Sequence, residues 1–127
     1  MTDQGAELRH GDLTYAIIGC CQRVHSGLGP GFPESVYHKA LCHELMLAKM
    51  PFESEKAFEV HYREACCGLF RADLVVDERV VVEIKALNGL SGDHVAQVLS
   101  YLKASGLHVG LLVNFGQRSL ETKRVIL

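Results

Sequence analysis

The sequence predicts an α/β domain with the element order α-α-β-β-β-α-β, in which a mixed sheet is flanked by helices. Three observations lead there. Apolar residues recur at helical spacing in three segments, near residues 12–26, 33–50 and 91–104. Between the second and third lie β-branched runs separated by short polar turns. After the third, Leu107 to Phe115 is almost unbroken apolar chain, the pattern of a central strand covered on both faces. At 127 residues the chain has the length of one domain, 1–127, with residues 1–11 expected to form a flexible N-terminal segment.

The elements follow in order. Asp12 is placed to cap a first helix running to about Ser26, with Leu13, Ala16, Ile17, Cys20 and Val24 along one stripe. Gly27-Leu28-Gly29-Pro30-Gly31 breaks it. Pro33 suits the first turn of a second helix that ends near Met50, its apolar face carrying Val36, Ala40, Leu41 and Leu45. The chain is then extended, with Ala57 to Tyr62 as a first strand. Phe70–Val76 and Val80–Lys85, joined by Asp77-Glu78-Arg79, read as a hairpin. Ser91 or Asp93 opens a third helix, and Gly106 closes it. Glu121 to Leu127 is a short edge strand. Helices on both faces of the sheet, or mostly on one, would equally satisfy this order.

Composition narrows the functional classes. Hydrophobic residues make up 48% and charged residues 22%, enough apolar material for a packed core and too little charge for a disordered chain. No apolar stretch approaches the roughly 20 residues that cross a bilayer. The N-terminus lacks the basic and apolar regions of a secretory leader, so a cytoplasmic protein without a membrane partner is expected. A net charge of −2 argues against a large nonspecific nucleic-acid surface but leaves room for a local basic cleft. Five cysteines, two pairs of them adjacent, fit no disulfide framework and read as free thiols. A soft-metal site built from His61, Cys66 and Cys67 is the alternative.

The hairpin carries the chemistry. A turn centred on Glu78 sets Asp73 opposite Glu83, Arg71 opposite Lys85 and Val75 opposite Val81. Strict alternation then puts Arg71, Asp73, Val75, Val81, Glu83 and Lys85 on one face. Ala72, Leu74, Val76, Val80, Val82 and Ile84 fall on the other. Opposed carboxylates roughly 5 Å apart repel unless a cation or proton lies between them. On the third helix, Gln97 and Tyr101 are four residues apart and share a stripe that could overlie this acidic face. Glu34 and Tyr37 open the second helix, where an acid is stabilised by the helix dipole whatever else it does.

These residues also form an ordered pattern: Gly31-Phe32-Pro33-Glu34-Ser35-Val36-Tyr37, then Phe70-Arg71-Ala72-Asp73, Val82-Glu83-Ile84-Lys85, Gln97 with Tyr101, and Leu111 to Gly116. On this pattern the chain, over about residues 12 to 127, resembles the GxxExxY family within the PD-(D/E)XK nuclease-like superfamily. The resemblance implies a restriction-endonuclease-like core. It implies Asp73 and Glu83 as metal ligands, with Glu34 supporting them and the Ile84 carbonyl as a further ligand. Lys85 is implied at the attacking water, and Gln97 and Tyr101 match the helix motif of the RecB-like branch. Arg71 and Tyr37 are the expected substrate contacts, and Mg²⁺ or Mn²⁺ the expected cofactor. The implied activity is a divalent-metal-dependent nuclease hydrolysing phosphodiester bonds of nucleic acid, DNA in preference to RNA. A homodimer or partner protein would complete the substrate cleft. The alternative is a nuclease-fold binding or assembly module whose active site is slow or vestigial.

Overall fold

The computed structural model describes residues 9–127. The expected flexible segment, 1–11, therefore falls mostly outside the described residues, and its last residue, Gly11, already opens a helix. Among the described residues there are three helices: α1 (Gly11–Leu28), α2 (Glu34–Leu47) and α3 (Gly92–Ser105). Five strands accompany them: β1 (Phe52–Tyr62), β2 (Ala65–Val76), β3 (Val80–Lys85), β4 (Val109–Asn114) and β5 (Glu121–Ile126). They form one sheet in the order β1-β2-β3-β4-β5. Only β3 and β4 run parallel, with α3 as the crossover between them, so the sheet is mixed as expected.

Helices cover both faces. Ile17, Cys20, Cys21 and Val24 of α1 and Tyr37, Leu41 and Leu45 of α2 pack on Leu74, Val76, Val80, Val82, Ile84, Leu111 and Val113. Val98, Tyr101 and Leu102 of α3 pack on Val75, Val81, Leu112 and Val125 from the opposite side. The two central strands, β3 and β4, are thus sandwiched, and Leu111, Leu112 and Val113 are fully buried. This explains their unbroken apolar sequence. Gly110 lies beneath α3, where an added Cβ would clash with Val98 Cγ1.

Several boundaries differ from the sequence expectation. Asp12 lies inside the first turn of α1 and does not cap it, while His10 takes the cap position with left-handed dihedrals (φ 54°, ψ 31°). Pro33 caps α2 from outside the helix, and the helix stops at Leu47 before left-handed Lys49 (φ 58°). The buried stripe of α2 runs through Tyr37, Leu41 and Leu45. Strand β1 begins at Phe52, five residues before the expected start, because Phe52, Glu53 and Ser54 pair with the core end of β2. Ser91 caps α3, its N–H donating to His94 Nδ1 at 2.9 Å, and left-handed Gly106 (φ 75°) ends the helix.

Candidate active site

The β2–β3 hairpin turns on Asp77 and Glu78, both left-handed (φ 51° and 55°). Its register is the expected one: Val76 faces Val80, Val75 faces Val81 and Leu74 faces Val82. The ladder then stops, and the next residues on each strand are Asp73 and Glu83. Asp73 N–H donates to Glu83 Oε1 at 3.0 Å, and Ile84 N–H donates to Asp73 Oδ2 at 2.7 Å. Each acid thus accepts a peptide N–H from the opposite strand and takes the place of a backbone ladder bond. Among the described residues, this leaves one oxygen of each carboxylate without a hydrogen-bond donor.

The same point breaks the alternation of β2. Phe70 meets Tyr101 of α3 edge-to-face at 5.3 Å, and Ala72 is buried with Val75 and Val81 against that helix. Leu74 and Val76 face α1 and α2. Even-numbered residues therefore change sides between Ala72 and Leu74. On β1 the partner position is also irregular: Glu55 is left-handed (φ 54°), and pairing skips from Ser54↔Leu74 to Lys56↔Ala72. The expected single face carrying Arg71, Asp73 and Val75 is corrected accordingly. Arg71 is exposed opposite Ala57 and lies, by alternation, on the other side of the strand from Ala72.

Glu83 is 3% exposed, the third residue from the end of a strand sandwiched by helices. Burial, followed by the negative charge of Asp73, pushes its carboxyl up to about 8. The Asp73 N–H and the Lys85 charge work in the other direction and are outweighed, while Glu34 adds a smaller repulsion. Lys85 Nζ itself is directed to Gln97 Oε1 at 3.0 Å. Tyr101 is 9% exposed, and its hydroxyl is pushed up to about 12 by burial, then by Glu83 and Asp73. Asp73, Glu83, Lys85, Gln97 and Tyr101 are thereby brought together at the open end of the hairpin ladder. Glu34 is exposed at the start of α2 and reaches this group through its charge.

Two expected residues are placed differently. Tyr37, expected at the substrate, is fully buried and stacks on Phe115 at 4.7 Å with rings 9° from parallel. Its hydroxyl donates to Gly29 O at 2.6 Å and accepts from Phe32 N–H at 3.1 Å, which ties the glycine-rich loop to α2. Its packing is that of a core anchor. Glu34, Asp73 and Glu83 do not form a tight three-acid cluster: among the described residues, the group of three ligating side chains whose atoms lie within 4.8 Å of one another is Glu59, His61 and Cys66, on the β1–β2 ribbon. That group could hold a divalent ion.

Asn114 was not singled out by its sequence. It is fully buried at the end of β4. Its Oδ1 accepts from Leu87 N–H (2.8 Å) and Gly116 N–H (3.1 Å), and its Nδ2 donates to Leu87 O (3.0 Å) and Glu121 Oε1 (3.2 Å). It fixes the chain that leaves the site just after Lys85. A lone amide closing a run of buried aliphatics was the available clue.

The sequence profile of the PD-(D/E)XK nuclease superfamily matches residues 11–125. The chain belongs to this superfamily. The match spans every helix and strand described above except the last residue of β5. Three chains of solved structures match, among them one titled "Crystal structure of SSO0001", with 20% identity and a TM-score of 0.57. That match covers 72% of this chain and 48% of the other, so the chain spans about half the length of that relative, and the likeness shows the fold. No match was found among curated proteins. No helix among the described residues is long and apolar enough to cross a membrane.

Proposed function

We propose that this chain is a divalent-metal-dependent nuclease of the kind the superfamily and the GxxExxY resemblance suggest, with its centre at Asp73 and Glu83. The observation that carries the reading is the interrupted ladder. Two carboxylates meet where the backbone pairing stops, neither has a basic side chain in contact among the described ion pairs, and each keeps an oxygen in reserve. A buried acid arrangement of this kind is costly unless a proton or cation neutralises it.

The donor set fits a hard ion. Phe115 N–H donates to Lys85 O at 2.8 Å, so the Lys85 peptide faces β4. Alternation turns the Ile84 N–H and carbonyl to the β2 side, and the N–H is taken by Asp73. Asp73, Glu83 and the Ile84 carbonyl would then hold Mg²⁺ or Mn²⁺, which prefer oxygen ligands and retain water. Such an ion, when bound, acidifies water and screens the charge of a phosphodiester. Lys85, held by Gln97, supplies a positive charge beside the same carboxylates and is the group we assign to the attacking water or the phosphate oxygens. Tyr101 keeps its proton well above neutral pH and is available as a hydrogen-bond donor. Glu34 adds negative charge at the rim. Nucleic acid is the proposed substrate class, with DNA expected over RNA.

The test combines binding and cleavage. Mg²⁺ and Mn²⁺ affinity is measured for the wild type, Asp73→Asn/Glu83→Gln and Lys85→Met. Single- and double-stranded DNA and RNA are then assayed for cleavage. Binding and cleavage should vanish together in the double variant, whereas Lys85→Met should retain binding and lose cleavage. Mg²⁺ binding that survives in the double variant overturns the assignment. Binding without cleavage of any of the four substrates favours a nuclease-fold binding or assembly module.

A further inference from the structure

We propose a second metal site, of different chemistry, on the overhanging β1–β2 ribbon: Glu59, His61 and Cys66, taking a borderline ion such as Zn²⁺. The ribbon arises from unequal strand lengths. β1 and β2 have 11 and 12 residues, β3 only 6. The β2–β3 ladder ends at Leu74↔Val82, while β1–β2 pairing runs on to Tyr62↔Ala65. The outer part of β2, Ala65 to Arg71, is exposed along its whole length. A two-stranded ribbon on its own is marginally stable, so this end of the sheet lacks the packing that holds the rest.

A β-bulge builds the site. Val60 pairs with Gly68, but His61 pairs with Cys66, which leaves Cys67 as the extra residue. The bulge sets His61 across from Cys66, and Glu59 joins His61 from two residues back on the same strand. His61 Nε2 lies 2.8 Å from Glu59 Oε2, and the ligating atoms of all three lie within 4.8 Å of one another. Small side-chain rotations would bring them onto one ion. Cys67 is excluded, so the expected pairing of Cys66 with Cys67 is replaced by Cys66 with Glu59.

The donors decide the metal. One thiol, one imidazole and one carboxylate suit Zn²⁺, and Co²⁺ as its spectroscopic stand-in, over Mg²⁺, which the oxygen donors of Asp73, Glu83 and Ile84 suit. Three protein ligands leave a fourth position for water. Glu59, His61 and Cys66 are all exposed, so solvent and metal reach the cluster directly. The ion would clip the two strands together across the bulge. This site does not depend on the proposed nuclease activity.

Metal-free, reduced protein is titrated with Co²⁺ and Zn²⁺, following the thiolate-to-cobalt charge-transfer band and the mass of the intact complex. The wild type, Cys67→Ala and Glu83→Gln should bind one equivalent with the band present. Cys66→Ala should lose the band, and His61→Ala should weaken Zn²⁺ binding on the order of 100-fold or more. Zn²⁺ should also slow amide exchange in residues 56–71. An absent band in the wild type, a band retained by Cys66→Ala, or equal loss in Cys67→Ala would each overturn the proposal. His61, Cys66 and Cys67 are exposed, so far-UV circular dichroism should show their variants folded.

Discussion

Replacing Glu83 by Gln should stabilise the metal-free protein above neutral pH. The carboxyl of Glu83 rises from an ordinary value of 4.5 to about 8 in the fold, chiefly through burial and secondarily through Asp73. The native state therefore holds a proton that the unfolded chain releases. The sign follows directly: stability linked to Glu83 is complete below pH 4.5 and is lost progressively as pH rises towards 8. At about 1.4 kcal/mol per pH unit, that interval sets a ceiling of about 5 kcal/mol. Water entry and side-chain relaxation reduce it, and about 2 kcal/mol is the expected effect at pH 8.5. Gln keeps the Oε1 acceptor for Asp73 N–H and adds an N–H₂ that the Asp73 carboxylate can accept from. Urea denaturation of both proteins at several pH values between 5 and 8.5, with chelator throughout, measures the difference. The two should nearly coincide at pH 5 and separate as pH rises, with Glu83→Gln the more stable. A difference that stays flat, or a wild type that gains on the variant as pH rises, refutes the account of the buried acid.

Three further outcomes are expected. Mg²⁺ or Mn²⁺ must displace the Glu83 proton, so affinity should climb by roughly 50-fold between pH 6 and pH 8 and level off above, as calorimetric titrations would show. Lys85→Met should leave metal affinity within about twofold yet lower cleavage by on the order of 100-fold, while Gln97→Ala, which removes only the partner that holds Nζ, should cost less in the same assay. Tyr37→Phe removes the hydroxyl shared by Gly29 O and Phe32 N–H and should destabilise the fold by about 1–3 kcal/mol with no change in metal affinity, a pairing that thermal denaturation and titration separate.

Much of the candidate site was legible because it combined two strong sequence features. Asp73, Glu83 and Lys85 stand out as charges inside β-branched runs, and a turn centred on Glu78 fixes which residues oppose which. Gln97 and Tyr101 follow from helical spacing once α3 is placed over that hairpin. Tyr37 was misleading for a physical reason: a tyrosine in a helix can bury its ring and spend its hydroxyl on a nearby loop, and nothing local in the sequence reveals whether Phe115 will stack on it. Arg71 was misplaced because alternation was extended past Asp73, where the left-handed backbone of Glu55 on the neighbouring strand and the missing rung reset the faces. Cys66 with His61 was half visible, but the bulge that exchanges Cys67 for Glu59 depends on cross-strand register, which periodicity does not encode.

The break at Asp73 also explains why the acids sit where they do. Along an intact antiparallel pair, backbone N–H and C=O groups occupy the space between strands, and side chains leave it above or below. Carboxylates can enter that space only where rungs are missing. Here the acids replace rungs and satisfy the Asp73 and Ile84 N–H groups themselves, so opening the ladder strands neither donor. The opening coincides with the point where β2 passes from its buried half, Leu74 to Val76, to its exposed half, Ala65 to Arg71. One end of the acidic pair is therefore anchored in the sandwiched core and the other meets solvent. The proposed centre, which would hold charge rigidly and still admit a polar ligand, needs both, and Asp73 is the residue of this sheet at which they meet.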